Sequence, residues 1–178
     1  MENLRSVNIS FPLAPRGRAG SRLVEHGAAG GRDAYNEYAM AGSCRTFSHT
    51  ADIGLEAQAD SLSELFAVLA EGLSDLIVRR SMVSASQTRR LSVEAENLED
   101  LLVDFLNGVL EVIETQRMAV AGVKVLQAGR KSVDVELSGE PLDPARHEIG
   151  AEVKAATYHQ LKIAREGERW QARVILDV

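Results

Sequence analysis

The sequence predicts a two-layer α+β domain: a mixed β-sheet with two amphipathic helices on one face, preceded by a disordered N-terminal extension. Three observations carry that expectation. Alternating apolar and polar segments stand near the start and at the end of the patterned region. Two stretches between them repeat apolar residues at steps of three and four behind capping residues. Their order is strand, helix, strand, helix and then a meander of strands.

Residues 1–44 hold no sustained period of 2 or 3.6; "FPLAPRGRAG SRLVEHGAAG GRDAYNEYAM" mixes Gly, Ala, Arg and Pro. Its arginines suggest an organellar presequence, but Glu2, Glu25, Asp33 and Glu37 argue against one, and it has no apolar core suited to secretion. It is expected to be an unpatterned tail before a domain over 45–178. Met40, just ahead of the patterned region, is an alternative translation start.

Ile53, Leu55, Ala57 and Ala59 alternate against Asp52, Gly54, Glu56 and Gln58, which predicts a half-buried strand. Ser61 with Glu64 has the spacing of a capping box, so a helix starts there. Leu62, Leu65, Phe66, Leu69, Leu73 and Leu76 form its apolar stripe, and it ends near Val78. "TRRLSVEAE" at 88–96 is a second strand. Asn97 caps a second helix striped by Leu98, Leu101, Leu102, Phe105, Val109 and Ile113, with Glu99 and Asp100 near the positive end of its dipole. Val123 to Leu137 form two strands about a turn at Gly129-Arg130, and Pro141 and Pro144 mark a loop. In the next strand Val153, Ala155, Thr157, His159, Leu161 and Ile163 share one phase; after a turn at 166–168, Trp170, Ala172, Val174 and Leu176 share one face of the last.

The chain has 178 residues, about one domain, and its apolar runs fall far short of the ~18 residues that cross a bilayer, so no membrane role is expected. A net charge of -6 argues against a broad grip on nucleic acid. If RNA matters, a partner holds it. Cys44 is the single cysteine, which fits a reducing compartment and excludes a Cys-rich zinc site.

Motifs for covalent chemistry are weak. Ser48, His49, Thr50 and Asp52 lie close in sequence, but a triad is a spatial arrangement, and no nucleophile elbow, Walker loop or dinucleotide turn occurs. Cys44 with His49 lacks a placed orienting group. Asp52 enters a strand and is either a cation ligand or, as spacing alone favours, an Asx turn. Asp177 is followed only by Val178, so side-chain and main-chain oxygens cluster there; taken alone it reads as a solvated terminal charge. Oxygen-only ligands would suit Ca²⁺, Mg²⁺ or Mn²⁺. His147 in its loop and His159 on a core-phase strand position are each a ligand, a base or a satisfied structural histidine.

"HTADIGLEAQADSLSELF" at 49–66, "LEDLLVDFLN" at 98–107, "HEIGAEVKAATYHQLKI" at 147–163 and the final "ARVILDV" together resemble the archease family over residues 45–178. The resemblance implies a non-enzymatic activator of an RtcB-type RNA ligase, promoting its guanylylation and multiple turnover in tRNA splicing or RNA repair. That places it in the cytoplasm, meeting RNA only through the ligase. It also implies a divalent cation, seen as calcium in the family, held by Asp52, Asp177 and an oxygen of Val178. The alternative is a general protein or RNA-modification chaperone without a metal-dependent step; a hydrolase using His49 or His159 as base is a third reading. The extension and the length of "GEPLDPARHEIG" depart from the family motifs.

Overall fold

The computed structural model describes residues 7–10, 42–49 and 52–178, with backbone alone for 7–10, 48 and 49. Most of the expected extension, including Met40, lies outside these residues. Eight strands and two α-helices are described: β1 (Val7–Ser10), β2 (Ser43–His49), β3 (Asp52–Ala59), α1 (Leu62–Ile77), β4 (Gln87–Glu94), α2 (Leu98–Glu114), β5 (Met118–Ala128), β6 (Ser132–Pro141), β7 (Ala155–Glu166) and β8 (Arg169–Asp177).

The α+β class holds, but the strands divide into two four-stranded antiparallel sheets, ordered β1-β4-β6-β5 and β2-β3-β8-β7, where one mixed sheet was expected. The reason is topological. The connection β4-α2-β5 does join strands that run the same way, since both are antiparallel to β6, yet β6 sits between them and no parallel pair forms. Helix α1 links β3 in one sheet to β4 in the other. Each helix touches both sheets, α1 through β3 and β5, α2 through β7 and β4, so one continuous core joins all the layers.

Both helices start where their caps dictate. Ser61 Oγ accepts from the Glu64 N–H at 3.1 Å, and Glu64 returns a carboxylate to the Asp60 N–H at 3.0 Å, one residue earlier than a reciprocal capping box. Asn97 Oδ1 accepts from the Asp100 N–H at 2.9 Å. The apolar stripes face inward, and Phe66 meets Phe105 edge to face at 5.1 Å between ring centroids.

Strand β5 begins five residues before the predicted start at Val123. Met118, Ala119 and Val120 are all buried, so this stretch has no polar alternation to read. It also crowds β6: a Cβ on Gly139 would lie 1.9 Å from the Ala119 carbonyl oxygen, so only glycine admits this approach.

The β7 edge of the second sheet is met at Ala156 by a side chain. Asn107 on α2 accepts from the Ala156 N–H at 2.8 Å and donates to the Ala156 carbonyl at 3.3 Å, standing in for a neighbouring strand along β7.

β7 carries the largest departure from the expected pattern. Its register with β8 runs through Thr157↔Ile175 and resumes at Lys162↔Arg173, so four residues of β7 face one of β8. This bulge reverses the side-chain phase. His159, placed by sequence on the core phase, is exposed, while Ala156 and Ile163 are buried. Gln160 takes a left-handed φ of 50°, uncommon for a residue with a Cβ.

Candidate functional site at the end of the β3–β8 pair

Strands β3 and β8 bring the two ends of the domain together. Their register pairs Ile53 with Leu176, and one step further along each strand stand Asp52 and Asp177. The same row continues sideways, with His49 of β2 opposite Asp52 and Ala155 of β7 opposite Asp177. Because Leu55 and Leu176 fill the inner phase, Asp52 and Asp177 fall on the outer phase; Asp52 is half-buried and Asp177 exposed. The Lys154 N–H donates to the Asp177 carbonyl at 2.8 Å, and Lys154 Nζ donates to an oxygen of Val178 at 3.0 Å.

The donor chemistry at this corner fits a hard divalent cation, since both carboxylates and the oxygen of Val178 are hard oxygen donors. Among the described residues no group of three or more His, Cys, Asp or Glu side chains could hold a metal. The corner therefore brings two carboxylates and main-chain oxygen. A Ca²⁺ ion takes six to eight oxygens, more than the two carboxylates and the Val178 oxygen would supply.

Immediately inward on the same face, the Phe47 ring covers Gly54 so closely that a Cβ there would lie 1.9 Å from it. The Arg173 guanidinium stands 4.4 Å from the centre of that ring. Arg173 also donates to Glu56 and to Gln160, each at 3.3 Å, tying the β7 bulge to β3. Beyond it lies a shallow open depression bordered by Arg45, Glu56 and Lys162.

Other candidates separate from this corner. Cys44 packs toward α1, where a Cβ on Gly72 would lie 2.6 Å from its Sγ, and burial pushes its thiol up to about 12, the opposite of an activated nucleophile. The side chains of Ser48 and His49, and all of Thr50, lie outside the described residues.

His147 is buried in a polar cluster at the end of β6. Its Nδ1 accepts from the Asp143 N–H at 3.1 Å, which leaves Nε2 to donate to Glu140 Oε1 at 3.2 Å. Glu140 also accepts from the Ser84 N–H at 2.8 Å and from both terminal nitrogens of Arg146 at 2.9 and 3.2 Å. Those bonds, the Ser84 amide first, hold its carboxyl down at about 2. With His147 and Glu140 buried, Arg146 at the surface and all three paired, the cluster is a structural clamp on the loop over 142–150.

Its pH signature follows directly. A folded value below the ordinary ~4.3 of glutamate means that Glu140 stabilises the fold above about pH 4–5 and loses that contribution as pH falls toward 2. Urea midpoints measured from pH 7 to 2 should fall through that window in the native chain. Glu140→Gln should start lower at pH 7 and fall less; parallel curves would show that Glu140 is not the group responsible.

Sequence reasoning missed Lys154, Arg173 and Glu140 as site or clamp residues. Only Lys154, beside the strand that carries "TYH", had a local signal. The partners of Arg173 and Glu140 are distant in sequence or hidden in a loop.

A small α+β domain in which β3 and the last strand converge on an oxygen-rich corner is the class defined by these features. The comparisons make it specific. A model of the archease protein family matches residues 45–178. The chain is 37% identical over 136 residues to protein archease of Pyrococcus abyssi, covering 74% of this chain and 96% of that protein. It is 36% identical over 137 residues to protein archease of Thermococcus kodakarensis, with the same coverage. Among solved structures it resembles a Methanobacterium thermoautotrophicum protein, with a TM-score of 0.64 and 30% identity over 76% of this chain and 98% of that one. A Thermotoga maritima archease described as a possible chaperone gives a TM-score of 0.52 and 25% identity over 75% and 96%. The chain belongs to the archease family.

Proposed function

We propose that this chain activates an RtcB-type RNA ligase in the cytoplasm, promoting its guanylylation and repeated turnover in tRNA splicing or RNA repair without covalent chemistry of its own. The observation that carries the reading is the convergence of Asp52, Asp177 and Val178 at one end of the β3–β8 pair in a member of the archease family. In this reading these residues hold Ca²⁺, with Mg²⁺ or Mn²⁺ as alternatives. A bound cation would supply charge neutralisation for phosphoryl chemistry. The chain's own part is positional. Asp52 and Asp177 present carboxylates from two hydrogen-bonded strands, so the corner is organised before a partner arrives. Its short supply of protein oxygens suits a cation completed by the partner's ligands.

The test is multiple-turnover joining of RNA with a 3′-phosphate to RNA with a 5′-hydroxyl by the cognate ligase. Addition of this chain should raise turnover beyond one product per ligase; no stimulation would overturn the proposal. The printed description of the Thermotoga maritima relative favours a second reading, a general chaperone. Stimulation of unrelated clients that persists without divalent cation would support that reading.

A further inference from the structure

Strand pairing in β8 ends at Asp177, and Val178 lies one residue beyond. Its side chain packs half-buried against the core, but its main-chain oxygens lie past the last ladder bond, and such atoms fray unless something ties them down. Lys154, immediately before β7, makes two bonds to this end: its N–H holds the Asp177 carbonyl at 2.8 Å, and its Nζ reaches an oxygen of Val178 at 3.0 Å. Three residues further on, in β7, the Thr157 hydroxyl donates to the Ile175 carbonyl at 3.0 Å, so β7 grips the end of β8 by side chains as well as by backbone. An exposed lysine contact contributes little to global stability. Its consequence is local, because it fixes where the oxygens of Val178 sit relative to Asp52 and Asp177.

We infer that Lys154 is a positioning residue that holds Val178 at the corner before any cation is present. The inference deepens the cation reading and rests on it for its purpose, though not for its first measurement. Lys154 carries a positive charge and is no ligand itself. Its gain is preorganisation: a donor already in place need not be ordered when the ion binds.

The experiment uses the full chain. In ¹⁵N relaxation without divalent cation, the Val178 amide of the native chain should have an order parameter near ~0.85, falling below about 0.6 in Lys154→Met and recovering in Lys154→Arg. Calorimetric titration with Ca²⁺ at about 0.15 M KCl should show Lys154→Met binding roughly 3–10-fold more weakly, against the direction expected from removing a cation beside the site, and Lys154→Arg near the native value. A Val178 amide equally ordered in Lys154→Met overturns the positioning role, as does unchanged or tighter Ca²⁺ binding by that variant. If the order of Val178 follows Lys154 while the native chain binds no Ca²⁺, the positioning role stands and the cation reading falls.

Discussion

Replacing Asp52 and Asp177 together with alanine should abolish Ca²⁺ binding and ligase stimulation while leaving the domain folded. Each carboxylate sits at the end of a strand on the outer face, and neither is in the buried core. Stability should therefore move by no more than about 1 kcal/mol. The chemistry should not survive, because these are the only two side-chain oxygen donors assigned to the corner. Each single substitution should weaken Ca²⁺ by at least about tenfold. A bound ion stabilises the native state by mass action, so saturating Ca²⁺ should raise the melting temperature of the native chain and leave that of the double variant unmoved. Full ligase stimulation by a folded double variant would refute the site.

The largest loss of stability should come from Phe105→Ala. Phe105 is fully buried, and its ring meets Phe66 at 87° where the two helices cross the shared core. Truncating a buried phenylalanine costs about 3–5 kcal/mol in transfer and cavity terms, against a total of about 5–15 kcal/mol for a domain. The melting temperature should drop by roughly 6–20 °C. Phe105→Leu, which refills most of the volume, should cost much less. A loss below about 1.5 kcal/mol for the alanine variant would mean that the core collapses around the vacancy. The damage should spread to β7, since Asn107 lies half a turn along the same helix and holds Ala156.

The sequence made the helices legible almost to the residue, because Ser61 and Asn97 announce caps with a mechanism and the apolar stripes run unbroken behind them. Strands β3 and β8 were legible because alternate positions carry an apolar face, although Gly54 and Ile175 are buried on the opposite phase. What escaped was whatever breaks period two. The start of β5 is buried throughout, and the β7 bulge adds three residues that shift His159 from an expected core position to the surface. Strand β1 escaped as well: four residues within the expected tail pair with β4. The division into two sheets was illegible because helical connections show that strands are linked, not which strand intervenes. At the site, spacing offered Asp52 and Asp177 only as separate candidates, and it was the family resemblance that joined them with Val178; the β3–β8 register puts the two aspartates one step beyond the Ile53–Leu176 pair.

That register has a consequence for the order of folding. Ile53 and Leu176 are partners across nearly the whole domain, so closing the β3–β8 ladder is among the slowest contacts in entropic terms. During synthesis β3 must wait, with one edge unpaired, until the last strand has left the ribosome. The oxygen corner therefore does not exist until β8 has paired with β3. Its appearance marks closure of that ladder, so whatever recognises the corner distinguishes chains in which β3 and β8 have paired from those in which they have not.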